Sequence, residues 1–128
     1  MKHDITNQED IELLVNSFYE KVIQDDLIAH FFTEVNWQQH LPVMYDFWTN
    51  SLFYTGTYTG NPMKTHKDLH SLKALSAADF DRWLHHFLTT IQEHFEGDKA
   101  ELAKQRALSM ATVMKIKILH PPANNSLI

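Results

Sequence analysis

Apolar residues recur every three or four positions along several segments of this 128-residue chain, and this helical spacing constrains its fold most. The broadest stripe follows Ser76 and Asp79, which have the spacing of a helix-capping pair. Its members are Phe80, Trp83, Leu84, Phe87, Leu88, Ile91 and Phe95. Alternation typical of strands is weak throughout, and only three glycines are present. The pattern predicts an all-α protein.

Four substantial helices and some shorter helical pieces are predicted from these signals. Thr6 and Glu9 have capping-box spacing at the start of the first helix, and Gly97 is expected to separate the last two. Pro121 and Pro122 end the last helix, so we expect one domain over residues 1–120 and a flexible tail over 121–128. The remaining segments are a short piece near 27–32, a helix over about 37–52, an irregular connector over 54–62 and an ambiguous piece over 63–75.

The composition argues against several classes of function. The chain has 11 basic and 16 acidic residues without a basic run, so neither nucleic acid nor a membrane surface is an expected partner. Cysteine is absent, which excludes disulfides and thiolate chemistry. The N-terminal MKHDITNQED lacks the apolar run of a secretion signal, and no segment is apolar over a membrane-spanning length. A cytoplasmic protein is therefore expected.

Nine histidines make metal or proton chemistry worth considering. His66 and His70 lie four positions apart and share a helix face, which suits either a solvated surface or part of a metal site. A zinc site needs a third ligand, and no HExxH motif is present. A non-haem helical protein that binds zinc at this pair, or only binds a partner, is one interpretation.

Three other polar residues lie on apolar helix faces. His40 shares its face with Met44, and the nearby Pro42 should either kink the helix or lie in its first turn. Tyr19 and Trp83 lie on apolar faces of two different helices. Core packing accounts for each residue taken singly, because a buried tyrosine or tryptophan needs only a partner for its polar group.

Four segments in order carry a resemblance to a known family: SFYEKV (17–22), WQQHLPVMYDFW (37–48), YTGTYTGNPMKTHKDL (54–69) and FDRWLHHF (80–87). Together they resemble the group III truncated haemoglobins over about residues 5–115. The chain also has no Gly-Gly pair, as in that group. The resemblance implies a truncated-globin fold, in which a two-over-two helical sandwich encloses haem b.

The resemblance also implies roles for individual residues. His66 matches the proximal histidine that binds the iron, and Tyr19, His40, Trp83 and the apolar Met44 match residues of the opposite, distal side. The apolar residues expected to enclose the haem are Phe18, Phe32 (with Phe31 as the adjacent alternative), Phe47, Met63, Leu69, Phe80 and Met114.

A haem-binding globin of this kind is expected to take a small diatomic ligand such as dioxygen, nitric oxide or carbon monoxide, or to react with peroxide. Several hydrogen-bond donors on the distal side would hold a ligand with partial negative charge and slow its release. Redox chemistry is therefore expected rather than oxygen transport, with nitric-oxide dioxygenase or weak peroxidase activity and a reductase as partner. His40, beside Pro42, is expected to gate ligand entry.

Overall fold

The computed structural model of the chain describes residues 2–120, and the predicted tail over 121–128 lies outside the described residues. The prediction of an all-α protein is confirmed: within this range helices account for all the regular structure apart from an isolated bridge between His3 and Phe95. The elements are α1 (Gln8–Val22), a 3₁₀ turn (Ala29–Phe32), α2 (Trp37–Phe53), α3 (Pro62–Leu72), α4 (Ala77–His94), α5 (Asp98–Met114) and a π-helical turn (Lys115–Leu119).

The four long helices form two packed pairs. Helix α1 contacts α2 and α4, α4 contacts α5, and α2 contacts α5, which gives the expected two-over-two arrangement. The apolar stripes predicted on α1 and α4 supply much of the core, with Leu14, Phe87 and Ile91 almost fully buried. Helix α5 contributes small residues, so it approaches its neighbours closely; the buried ones are Ala100, Ala103, Ala107 and Ala111.

The helix starts agree with the sequence signals in part. Ser76 and Asp79 form the predicted capping box of α4. The expectation that Thr6 caps α1 is wrong by one position: the Asn7 side chain accepts from the Asp10 amide at 2.9 Å. Thr6 instead donates its own amide and hydroxyl to the Asp10 carboxylate. Neighbouring Thr and Asn are both good caps, and the acidic group three residues later matches Asn7.

The segment that was ambiguous in sequence is helix α3. The Asn61 side chain accepts from the Lys64 amide at 3.1 Å, and Pro62 occupies the first helical position, where its missing N–H is no loss. None of the α3 residues is buried, which explains why its apolar pattern is weak. Pro42 lies at the sixth position of α2, beyond the first turn where one alternative placed it.

Gly97 precedes α5, as predicted, with a φ of 136° that favours glycine. A Cβ at this position would lie 2.5 Å from Cγ of Asp4. The Asp4 carboxylate accepts from the amides of Lys99 and Ala100, so it caps α5 from the N-terminal segment. Between residues 2 and 120, no helix is both long enough and apolar enough to span a bilayer.

Candidate functional site

Two neighbouring cavities lie among the helices and the 3₁₀ turn. The larger has a volume of about 370 Å³ and the smaller about 70 Å³. Both are lined by Phe31, Phe32, His66, Leu69, Trp83 and Met110. The larger volume lies within the range of about 300–1,000 Å³ that is typical of sites for cofactors and small molecules. Most of the lining is apolar, so water is disfavoured there.

His66 is the fifth residue of α3, and its ring lines both cavities. Its Nδ1 lies 2.7 Å from the carbonyl oxygen of Pro62. Because a carbonyl oxygen only accepts, Nδ1 must carry the hydrogen and donate it. In the neutral ring Nε2 is then unprotonated and can bind a metal.

His70, one helical turn further on, has a different hydrogen-bond role. Its Nδ1 accepts from the amide of Leu75 at 2.9 Å, so it stabilises the chain where α3 ends. The two histidines therefore have opposite states at Nδ1. Within residues 2–120, no group of three His, Cys, Asp or Glu side chains is placed to hold a metal ion. These observations give no support to a zinc site at His66 and His70.

Tyr19 and His40 form a hydrogen-bonded pair in the wall of the larger cavity. The Tyr19 hydroxyl lies 2.8 Å from His40 Nε2, although 21 residues separate the two in sequence. Burial raises the pKa of the Tyr19 phenol and lowers the pKa of the His40 imidazole. Both groups are therefore neutral near pH 7.

Two neutral arrangements of this pair are available, and they differ in function. If His40 Nε2 is unprotonated, the Tyr19 hydroxyl donates to it and has no hydrogen left for a ligand. If His40 carries its hydrogen on Nε2, it donates to the Tyr19 oxygen. The Tyr19 O–H is then free to donate to a ligand in the cavity. The tautomer of His40 thus decides which atom the Tyr19 proton faces.

Trp83 lines both cavities from α4. Its ring meets Phe18 edge-on at 5.7 Å and stacks on Phe87 at 5.7 Å with an interplanar angle of 5°. These contacts fix the indole against the core, so Trp83 is a rigid part of the wall.

An ionic cluster lies directly beside Trp83. Asp25, in the linker after α1, accepts from Arg82 Nε and His86 Nε2, each at 2.7 Å, and from the amide of Leu27 at 3.0 Å. Arg82, followed by His86, holds the pKa of the Asp25 carboxyl well below its usual range. The cluster ties the linker to α4, and the next buried residue of that linker, Ile28, lines the smaller cavity.

Most of the predicted site residues line these cavities. Those around the larger one are Phe18, Tyr19, Phe32, His40, Met44, Phe47, His66, Leu69 and Trp83. Phe80 and Met114 line the smaller one. Met63 lines neither cavity and packs against the cluster of Phe80, Met114 and Ile118.

The sequence reasoning did not single out several other lining residues. They are Val15, Val35, Val43, Trp48, Pro62, Thr65 and Met110 of the larger cavity and Ile28, Leu75, Asp79 and Ala111 of the smaller. Met110 could have been found, since it lies one helical turn before Met114. Tyr58 also lines the larger cavity, and it belongs to a connector without periodicity, where no pattern indicates which residues face a cavity.

Comparison with known proteins agrees with this fold. The family model described as bacterial-like globin matches residues 3–120. The chain belongs to the bacterial-like globin family. The group 3 truncated hemoglobin ctb of Campylobacter jejuni is 30% identical over 118 residues, which cover 88% of this chain and 91% of that protein. The group 1 truncated hemoglobin GlbN of Synechocystis is 34% identical over 84 residues, which cover 65% and 68% of the two chains.

Solved structures superpose over most of the chain. The crystal structure of the group III truncated hemoglobin from Campylobacter jejuni matches with a TM-score of 0.83 and 27% identity, over 97% of this chain and 100% of that one. The structure of Chlamydomonas reinhardtii THB1 matches with a TM-score of 0.69 and 22% identity, over 86% and 90%, and shows the shared fold. The predicted resemblance to group III truncated haemoglobins and the truncated-globin fold are confirmed.

Proposed function

We propose that this globin binds haem b through Nε2 of His66 and holds a small diatomic ligand beside Tyr19, His40 and Trp83. One observation carries the proposal. The His66 ring, with its Nδ1 hydrogen bonded to Pro62, lines the same apolar cavity as the Tyr19–His40 pair.

The residues present fit a haem group. The His66 imidazole offers an unprotonated nitrogen, which is the form that binds iron. Phe18, Phe32 and Phe47 give the larger cavity an apolar wall suited to a porphyrin. Bound haem supplies the iron at which a diatomic ligand binds. The chain itself orients the imidazole, excludes water and places proton donors.

The distal donors favour redox chemistry over transport. A hydrogen bond to a group with ionic character contributes about 1.5–3 kcal/mol, which corresponds to about ten- to a hundredfold slower release of a partly negative ligand. Tyr19 and Trp83 are such donors, and His40 sets the direction of the Tyr19 hydrogen. We propose nitric-oxide dioxygenase or weak peroxidase activity with a reductase as partner, and the cytoplasmic location stays a prediction.

Titration of the purified chain with hemin tests the proposal. We expect a sharp Soret band at one hemin per chain. His66→Ala should lose or broaden that band, and added imidazole should restore it by replacing the missing ring. His70→Ala is the matched control: it removes the neighbouring histidine of the same helix and should keep the Soret band. A wild-type chain that leaves the hemin spectrum unchanged, or an equal loss in both variants, would contradict the proposal.

A further inference from the structure

We propose that Tyr19, His40 and Trp37 form a one-electron relay, and that Trp37 is a surface site for oxidising aromatic donors too large for the cavity. The donors are phenols and aromatic amines, and the oxidant is hydrogen peroxide. The inference rests on the proposed haem function, because hydrogen peroxide delivers its oxidising equivalents at the haem. It adds a second site of reaction, outside the cavity.

A continuous set of aromatic contacts leads from the cavity to this site. The Tyr19 ring, which is buried in the cavity wall, lies 5.1 Å from the Trp37 ring at an interplanar angle of 65°. Trp37 also contacts His40 edge-on at 5.7 Å and stacks on Phe32 at 6.1 Å. It is the first residue of α2, it is half-buried, and it lines neither cavity. Trp37 therefore touches both the buried pair and solvent.

The hydrogen bond to His40 makes Tyr19 suitable for one-electron transfer. A phenol that loses an electron becomes a strong acid, so the transfer is easiest when a base takes the proton in the same step. His40 Nε2 lies 2.8 Å from the Tyr19 oxygen. Because the imidazole is neutral, its tautomer with Nε2 unprotonated can take that proton and later return it.

Other aromatic residues that line the cavity are less suited to electron transfer between the cavity and the surface. Trp83 stacks on Phe87, which stacks on Trp48 at 4.5 Å, but Trp48 is only 4% exposed and reaches the half-buried Tyr58 only through edge-on contacts with Phe47. Tyr58 is half-buried and contacts Phe47, yet no hydrogen bond to a basic side chain is found for it within residues 2–120. Trp37 is therefore the surface residue that both contacts the hydrogen-bonded Tyr19 and is exposed to solvent, so it can pass electrons between them.

The relay moves one electron and one proton at a time. Tyr19 gives one electron towards the haem site, and its phenolic proton moves to His40 Nε2. Trp37 then reduces the Tyr19 radical, and His40 returns the proton to the Tyr19 oxygen. An aromatic donor at the surface reduces Trp37 and releases its own proton to solvent. Two such cycles supply the two electrons, and solvent the two protons, that reduce one hydrogen peroxide to two waters.

Spin trapping on the hemin-loaded protein tests the relay by a readout other than turnover. After one equivalent of hydrogen peroxide, peptide mass spectrometry should locate a trap adduct on Trp37. The adduct should disappear in Tyr19→Phe. It should persist in Tyr45→Phe, because Tyr45 is a half-buried residue of α2, the helix of Trp37, and lines neither cavity. An adduct on Tyr58 in place of Trp37, or one that Tyr19→Phe leaves unchanged, would overturn the relay.

Trp37→Phe gives a kinetic test, because phenylalanine preserves the packing but is hard to oxidise. We expect oxidation of a bulky phenol to slow by roughly tenfold or more, equivalent to about 1.4 kcal/mol in the barrier. The Soret spectrum and carbon monoxide binding should not change. A variant that oxidises the phenol at the rate of Tyr45→Phe would refute the inference while leaving haem binding intact.

The electron transfer between the two rings can also be measured on the full chain without added hemin. Pulse radiolysis with azide radicals oxidises tryptophan first. Tyr19 should then reduce the Trp37 radical and become a tyrosyl radical, which is the ring-to-ring step of the relay in the reverse direction across the same contact. Both Trp37→Phe and Tyr19→Phe should slow this conversion relative to Tyr45→Phe. Equal rates in all three variants would show that the contact does not carry electrons. Failure of hemin to bind at all would instead overturn the proposed function and, with it, the peroxide-driven relay.

Discussion

Replacing Asp25 with alanine should destabilise the fold more than any exposed charge does. The Asp25 side chain is 5% exposed and accepts three hydrogen bonds, from Arg82, His86 and the Leu27 amide. Asp25→Ala removes all three and leaves two side chains and one amide without their acceptor. The loss should also loosen the linker that carries Ile28 and the 3₁₀ turn along the cavity wall.

The burial of each partner sets the magnitude. His86 is 15% exposed, so its charged hydrogen bond counts for about 1.5–3 kcal/mol. Arg82 is 52% exposed and regains water, so its bond counts for about 0–1 kcal/mol. With about 1 kcal/mol for the Leu27 amide, we expect a loss of about 2.5–5 kcal/mol in the free energy of unfolding. For a chain of this length that lowers Tm by roughly 10–20 °C.

Urea and thermal unfolding followed by circular dichroism measure this loss. Asp81→Ala is the matched control, because Asp81 is 61% exposed and forms an ion pair with Lys115 at 2.8 Å. That variant should lose at most about 1 kcal/mol. Equal destabilisation of the two variants would refute the reasoning that burial, and not the number of ion pairs, decides the effect.

Acid should reduce the difference in stability between the wild-type protein and Asp25→Ala. The pKa of Asp25 is depressed in the fold, so its contribution is fully present above the unfolded value of about 3.9. It is lost as pH falls from there towards the folded pKa. The stability gap between wild type and Asp25→Ala should therefore be constant near neutral pH and narrow below about pH 4. A gap that stays constant down to pH 2 would contradict this assignment.

Two further predictions concern the ligand. Tyr19→Phe should speed dioxygen release about ten- to a hundredfold, since a hydrogen bond worth about 1.5–3 kcal/mol is lost. Stopped-flow displacement of dioxygen by carbon monoxide measures this rate. An unchanged rate would mean that the Tyr19 hydroxyl does not contact the ligand. His40→Leu should change the rate of carbon monoxide entry more than His85→Leu does, because His40 lies in the cavity wall and is hydrogen bonded to Tyr19. His85 is the control, since it is an exposed residue of α4. Flash photolysis compares the two variants, and equal entry rates would rule out the gating role.

The fold could be predicted from the sequence because its signals are local. The stripe from Phe80 to Phe95 and the Ser76 cap describe α4 without any knowledge of its neighbours. Where two good caps stand side by side, as Thr6 and Asn7 do, local reasoning selected the wrong one. Helix α3 was ambiguous because none of its residues is buried, so no buried stripe marks it.

The candidate site was only partly accessible to sequence reasoning. Tyr19 and His40 were each identified, but no pattern in the chain indicates that their polar atoms meet at 2.8 Å. Met63 lines neither cavity and packs on Phe80 and Met114, which line the smaller one, so its expected contact with the haem stays a prediction. Whether a helix residue faces a cavity or a neighbouring helix depends on how the helices pack, which sequence spacing does not specify.

The amino-acid sequence by itself determined the helices, their order and the residue types that a haem pocket needs, because helix periodicity and capping act within a few residues. The tertiary structure alone decided that Asp25 pairs with Arg82 and His86, and that Trp37 touches Tyr19. These are contacts between groups that lie far apart along the chain, and only the packing of complete helices brings such groups together.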